Sequence, residues 1–154
     1  MERAHAERLL PEVMRFLEEK KATRADLIAV GTGPGSYTGL RVGVSLALGL
    51  ARGWNALAIG VPSLETIAAT QDGLVAVTLD ARKGKFYSAA YRVAEGRILE
   101  TVVEPDKRSL EEFAALVPGD ATWVRDAEPS GIVLARLGLE RAERGETGLL
   151  ISYL

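Results

Sequence analysis

The 154-residue chain has no cysteine and a single histidine, His5. The first absence excludes disulfides, thiolate metal sites and cysteine nucleophiles. The second removes the usual zinc or iron site, which takes two or more His or Cys ligands. No metal and no cofactor are expected. A Ser-His-Asp triad has its residue types in Ser36 or Ser63, His5 and Asp80, but no G-x-S-x-G elbow accompanies them, so hydrolysis is not expected. His5 reads as a surface or capping residue. No charge-free apolar run reaches the roughly 18 residues of a membrane span, and the charged N-terminus reads as helix rather than signal peptide. Neither sign of charge dominates: 19 Lys and Arg face 21 Asp and Glu, and the basic residues are scattered among acids. A strongly basic nucleic-acid surface is therefore not expected. The 47% hydrophobic and 26% charged fractions fit an ordinary globular protein, with chain enough for one sizeable core or two small lobes. The expected location is the cytoplasm.

The most informative stretch is residues 31–53, GTGPGSYTGLRVGVSLALGLARG. An apolar strand ending in LIAV runs into a glycine-rich turn and then a helix, the order found in phosphate-binding loops. Neither standard phosphate fingerprint is met. No Lys follows the glycines, and Gly31, Gly33 and Gly35 sit two apart. The plainer reading is a tight turn with positive φ at Gly, followed by a helix N-terminus capped by Ser36 or Thr38. On the helix, Thr38, Arg41, Ser45 and Arg52 share a stripe of roughly 60° at about 100° per residue. The rest is almost wholly apolar, so two sides need covering: one by the domain's own sheet, the other by a second helix, a partner, or both. Gly39, Gly43 and Ala47 lie four apart, which permits close backbone approach.

The remainder alternates and then changes rhythm. Residues 3–20 form an amphipathic helix whose Leu9, Leu10, Val13, Met14, Phe16 and Leu17 fill an arc of about 160°. Strands are expected at 27–31 and 56–60, and a helix at 62–69 capped by Ser63. After the turn at Gln71–Gly73, strands at 74–80, 85–93 and 97–104 read as an antiparallel meander. A helix at 109–116, a strand at 121–125 and a helix at 129–144 follow. Two lobes are expected, residues 1–70 and residues 71–154, the second carrying the C-terminal helix. Trp54, beside a C-cap at Gly53, reads as a packing residue.

Three motifs in order resemble the bacterial TsaB family, also called YeaZ. They are GPGSYTGLRVG (residues 33–43), GVPSLE (60–65) and DAR (80–82) followed by Phe86-Tyr87. The likeness covers residues 5 to about 92 and is weak beyond. It implies an α/β, actin-like/Hsp70-like/sugar-kinase-like (ribonuclease H-like) two-lobe fold. The family opens with a strand reading like LAIDTS and two further strands, whereas this chain starts in the first helix. The first lobe is accordingly expected to be N-terminally truncated, with an exposed sheet edge.

The resemblance implies a non-catalytic partner of the TsaD enzyme, acting with TsaE in threonylcarbamoyladenosine modification of tRNA position 37. The His pair at helical spacing that the catalytic paralogue carries is missing here. The implied docking surface is the first two helices, with Leu10, Val13, Leu17, Tyr37, Leu40, Arg41, Val44 and Leu48 as interface residues. The same helices could pair two copies, and tRNA would be met only indirectly. The turn residues Gly33, Pro34, Gly35, Ser36, Thr38 and Gly39 form the second candidate site. Asp80 and Arg82 form the third, as a vestigial ligand contact. The alternative reading is an actin-like ATPase or small-molecule kinase that uses the glycine-rich turn for phosphate.

Overall fold

The computed structural model describes residues 2–149, and side chains from residue 7 onward; His5 as a side chain and the terminal LISYL lie outside the described part. The elements run α1 (Glu2–Glu19), β1 (Leu27–Gly31), α2 (Tyr37–Trp54), β2 (Leu57–Val61), α3 (Ser63–Ala68), β3 (Gly73–Asp80), β4 (Phe86–Ala94), β5 (Arg97–Arg108), α4 (Leu110–Ala114), β6 (Thr122–Arg125) and α5 (Gly131–Glu143). The α/β class expected from the alternation is what is found.

β1 and β2 pair in parallel, joined by the crossover helix α2. Strand alternation sends successive side chains to opposite faces. Val30 therefore meets α2 near Gly43, while Ala29 meets α5 at Gly138. The two-stranded sheet is held between α2 on one face and α5 on the other, with α1 lying against α2. The second sheet has the order β5-β4-β3-β6, antiparallel through the meander and parallel between β3 and β6. One face packs on Leu64, Ile67 and Ala68 of α3, around Val75, Val77 and Tyr91. The other packs on Phe113 of α4, with Trp123 edge-on to it at 5.3 Å.

Several local expectations are corrected. The C-terminal helix was expected with the second lobe, yet α5 packs on β1 and β2, while α3, from the first 70 residues, packs on β3 and β4. The small side of α5 at Gly138 is what fits Ala29. Ser63 does not cap α3: Pro62 is the N-cap without a side-chain bond, and Ser63 is buried, its N–H donating to Gly33 O at 2.8 Å. Gly53 is interior to α2. The helix ends at Asn55, which takes the left-handed conformation and donates its N–H to Ala51 O. β5 continues four residues beyond expectation, through Pro105. It is an edge strand, where a missing N–H leaves no partner unserved.

Two consequences follow for stability. A Cβ on Gly138 would lie 2.5 Å from Ala29 Cβ and 3.2 Å from Ile59 Cγ2. Both neighbours are fixed to strand backbone, so relief requires α5 to shift. Gly138→Ala should lower unfolding free energy by about 1–3 kcal/mol in urea titration, despite the helix propensity gain of roughly 1 kcal/mol. The second concerns α4, which opens with a capping box. Ser109 Oγ accepts from Glu112 N, and Glu112 Oε2 accepts from Ser109 N at 2.7 Å and from Lys85 Nζ at 3.2 Å. The Ser109 backbone N–H first, then its hydroxyl, then Lys85 hold the Glu112 carboxyl at about 2, against an ordinary 4.5. A depressed carboxyl pKa contributes stability above the unfolded value and loses it as pH falls toward the folded one. The difference in melting temperature between the parent and Glu112→Gln should be present at neutral pH and vanish between about 4.5 and about 2.

Candidate interface and cleft

The wheel of α2 translates directly into packing. Val44, Ala47 and Ala51 are buried toward the sheet. A second apolar side, with Leu46, Leu50 and Trp54, faces a groove of about 590 Å³ shared with Leu9, Val13, Phe16 and Leu17 of α1 and with β1. Thr38, Arg41, Ser45 and Arg52 are exposed as one strip. Beside it, Leu48 is 49% exposed and Tyr37 54%. On α1, Leu10, Met14 and Phe16 stay open to solvent, Phe16 at 57%. The two helices thus leave large apolar groups uncovered, of the kind that anchor protein interfaces.

The expected interface residues separate in the structure. Leu10, Tyr37, Arg41 and Leu48 are exposed; Val13, Leu17 and Leu40 are half-buried. Val44 is the correction: only 6% exposed, it belongs to the core under α2 and offers nothing to a partner. Its wheel position, on the flank of the exposed strip but one turn toward the sheet, did not separate it from Leu48.

The turn before α2 is built as expected at its helix end, where Ser36 Oγ accepts from Gly39 N at 3.2 Å. Gly33 has φ +97°, open to glycine at little cost, and Gly33 and Pro34 are buried. Thr38 does not cap. Gly35, Ser36, Tyr37 and Thr38 instead form one wall of a cleft of about 670 Å³, whose opposite wall carries Asp80, Arg82 and Tyr87. The second and third candidate sites of the sequence therefore share one cavity, with Gly33, Pro34 and Gly39 outside its lining. The far wall is knit by carboxylates: Asp126 Oδ1 accepts from Asp80 N, and Asp80 Oδ1 accepts from Arg82 N, both at 2.8 Å. Asp126, from the loop after β6, was not singled out by sequence, because nothing local shows that β6 lands beside β3. Among the described residues, no three His, Cys, Asp or Glu side chains are grouped so as to hold a metal ion. No helix among them is long and apolar enough to cross a membrane.

The family model for TsaD, tRNA N6-adenosine threonylcarbamoyltransferase, matches residues 1–122. The tRNA threonylcarbamoyladenosine biosynthesis protein TsaB of Bacillus subtilis is 41% identical over 112 residues, 70% of this chain and 48% of that one. The chain belongs to this family, in its TsaB/YeaZ branch. The TsaB of Escherichia coli is 33% identical over 150 residues, 86% of this chain and 65% of that protein. This chain thus spans about half to two thirds of the length of these TsaB relatives. YeaZ from Pseudomonas aeruginosa has the same fold, with a TM-score of 0.83 at 24% identity over 97% of this chain and 85% of that one.

The packing makes the two faces of α2 separable by mutation. Leu48→Arg should leave the melting temperature within a few degrees of the parent, as surface changes usually do. Val44→Asp buries a carboxylate and should cost several kcal/mol or prevent folding, read by circular dichroism melting.

Proposed function

We propose that this chain is a non-catalytic partner in threonylcarbamoyladenosine modification of tRNA, docking onto TsaD through α1 and α2. The observation that carries the reading is the uncovered apolar surface of these two helices, with Leu10, Met14, Phe16 and Leu48 open to solvent. A lone protein keeps such groups exposed at a cost in solubility, whereas a stable heterodimer burying roughly 1,200–2,000 Å² would cover them. The names carried by the TsaB relatives support the pathway. TsaE would join through the assembled complex. In the absence of TsaD the same helices could pair two copies about a two-fold axis. The setting is the cytoplasm, where tRNA is modified.

The test is light scattering on a sizing column, for the chain alone and mixed with TsaD of the same organism. A mixed peak with the mass of both proteins is expected, and Leu48→Arg should weaken it by tenfold or more, about 1.4 kcal/mol or above. A chain that ignores TsaD, or a Leu48→Arg variant that binds it as well as the parent, would overturn the docking surface.

A further inference from the structure

The two edges of the first sheet differ. On the outer edge of β2, Gly60 N donates to Gly148 O at 3.3 Å. Among the described residues, no strand pairs with the outer edge of β1. The ladder fixes which backbone groups stand there. Leu57 N donates to Asp26 O and Thr32 N to Val61 O, both at 3.0 Å. In a parallel ladder every second residue turns its N–H and C=O to the same neighbour. Asp26, Ile28, Val30 and Thr32 therefore serve β2. The N–H and C=O groups of Leu27, Ala29 and Gly31 point the other way, out of the sheet.

Those groups open into the groove of about 590 Å³ between α1, α2 and β1. Successive strand side chains point to opposite faces. All five β1 residues nevertheless line this one groove, so it follows the backbone edge rather than a face of the sheet. The same openness leaves every β1 residue only half-buried, although α2 covers one face and α5 the other. The walls are apolar, with Val13 and Leu17 of α1 facing the groove with Leu46 and Leu50 of α2. Among the described residues that line it, Glu12 alone is charged.

We propose that the open edge of β1 takes a third strand from a partner polypeptide: an extended, uncharged arm with apolar side chains turned toward α1 and α2. A row of backbone donors and acceptors inside apolar walls selects this chemistry. A small apolar molecule would cover the walls and leave the backbone groups without partners. A helix spends its own backbone groups internally and has none to offer along its length. An added strand supplies the ladder and the side chains together. The five residues of β1, at about 3.3 Å each, span roughly 17 Å, so the arm needs five or six residues. A second copy is a poor occupant. Two β1 edges related by a two-fold axis would bring both α1 and both α2 helices to the same face above the joined edges. A free arm carries no such helices. The mouth of the groove is continuous with the uncovered surface of the first two helices, since Leu9 and Phe16 line the groove and are also exposed. A protein seated on α1 and α2 therefore has the edge within reach of an arm.

The test uses the full chain and a fluorescein-labelled hexapeptide of alternating valine and threonine between terminal lysines. Binding is read by fluorescence anisotropy. The same peptide methylated on alternate backbone nitrogens keeps its side chains but cannot complete a ladder, and should bind about tenfold more weakly or worse. Amide exchange read by NMR locates the strand. Saturating peptide should slow exchange at Leu27, Ala29 and Gly31 by about tenfold or more, and leave Ile28 and Val30, already bonded to β2, unchanged. Phe16→Glu, at an exposed groove residue, should weaken binding several-fold. Leu48 lies outside the lining, so Leu48→Arg should bind the peptide as the parent does. Melting curves confirm that each variant is folded. Equal binding of the methylated peptide would make the groove a general apolar site and overturn the proposal. So would protection without the alternation. Protection of the three amides in the peptide-free chain, rising with chain concentration, would give the edge to a second copy and overturn it too. TsaD association is measured on the same variants. A chain that binds TsaD but not the peptide loses this inference alone, whereas one that binds the peptide at β1 but not TsaD keeps the edge site and loses the partner reading.

Discussion

The close seating of α5 on the first sheet is the contact on which the rest of the architecture depends. A two-stranded parallel sheet cannot stand alone in water, because both faces and its backbone ladder are open. Here α2 closes one face with Val44, Ala47 and Ala51, and α5 closes the other with Gly138 and Leu137. Only glycine at 138 allows the helix axis to approach Ala29 and Ile59 so nearly. The same helix then reaches the second sheet. Leu137 joins Val61 and Ala69 in a small core, and Arg141 bonds Glu65 of α3 at 2.5 Å. That pair is largely sheltered, with side chains 23% and 17% exposed, so it is less screened than the surface pairs. It also stands near Tyr91, whose buried hydroxyl is pushed upward in pKa by desolvation first, then by the Glu65 and Glu104 carboxylates against Arg141.

Once that seat is fixed, the turn has little freedom. Thr32 N donates to Val61 O at 3.0 Å and Ser63 N to Gly33 O at 2.8 Å, so the glycine-rich loop is stitched to the start of α3. α3 in turn is rooted in the core of the second sheet. One wall of the cleft is thereby referenced to the sheet that carries the other. On that other wall, the parallel landing of β6 beside β3 delivers Asp126 to the Asp80 amide. The cavity is therefore bordered by turns that hydrogen bonds tie to the neighbouring strands and helices.

The elements themselves were legible, and their partnerships were less so. Periodicity and breakers located every helix and strand, since the signals are local: the 3.6 period of α1 and α2, the turn residues at Glu95 and Gly96, the alternation of β3 and β4. The destination of α5 was not, because its sequence is apolar on a side that either sheet could have taken, and the deciding feature is one missing Cβ. The Ser63 cap failed for a related reason. The residue type was right for a cap, but Pro62 begins the helix one residue earlier, and the Ser63 amide was already committed to the Gly33 carbonyl. For the interface, the wheel identified which face of α2 is polar but not where the sheet ends and solvent begins, so Val44 and Leu48 looked alike. The cleft was invisible as a cleft. Its parts were found separately, and Asp126 enters only through strand pairing.

Charge is partnered by the fold in ways that composition does not display. Composition alone argues against a strongly basic surface. But ion pairing is decided residue by residue. Where strands and helices set acids at reach, as for Arg92 with Glu100 or Arg144 with Glu140, cations are matched. In the cleft, two of the lining carboxylates, Asp80 and Asp126, are turned to backbone amides instead, holding the hairpin in its left-handed turn, while Glu128 lines the cavity beside them. α2 is shared between both surfaces. Tyr37 lines the cleft with Arg41 over its ring, and Leu48 stands about three turns along on the uncovered apolar side, so a partner seated on that helix would border the cleft.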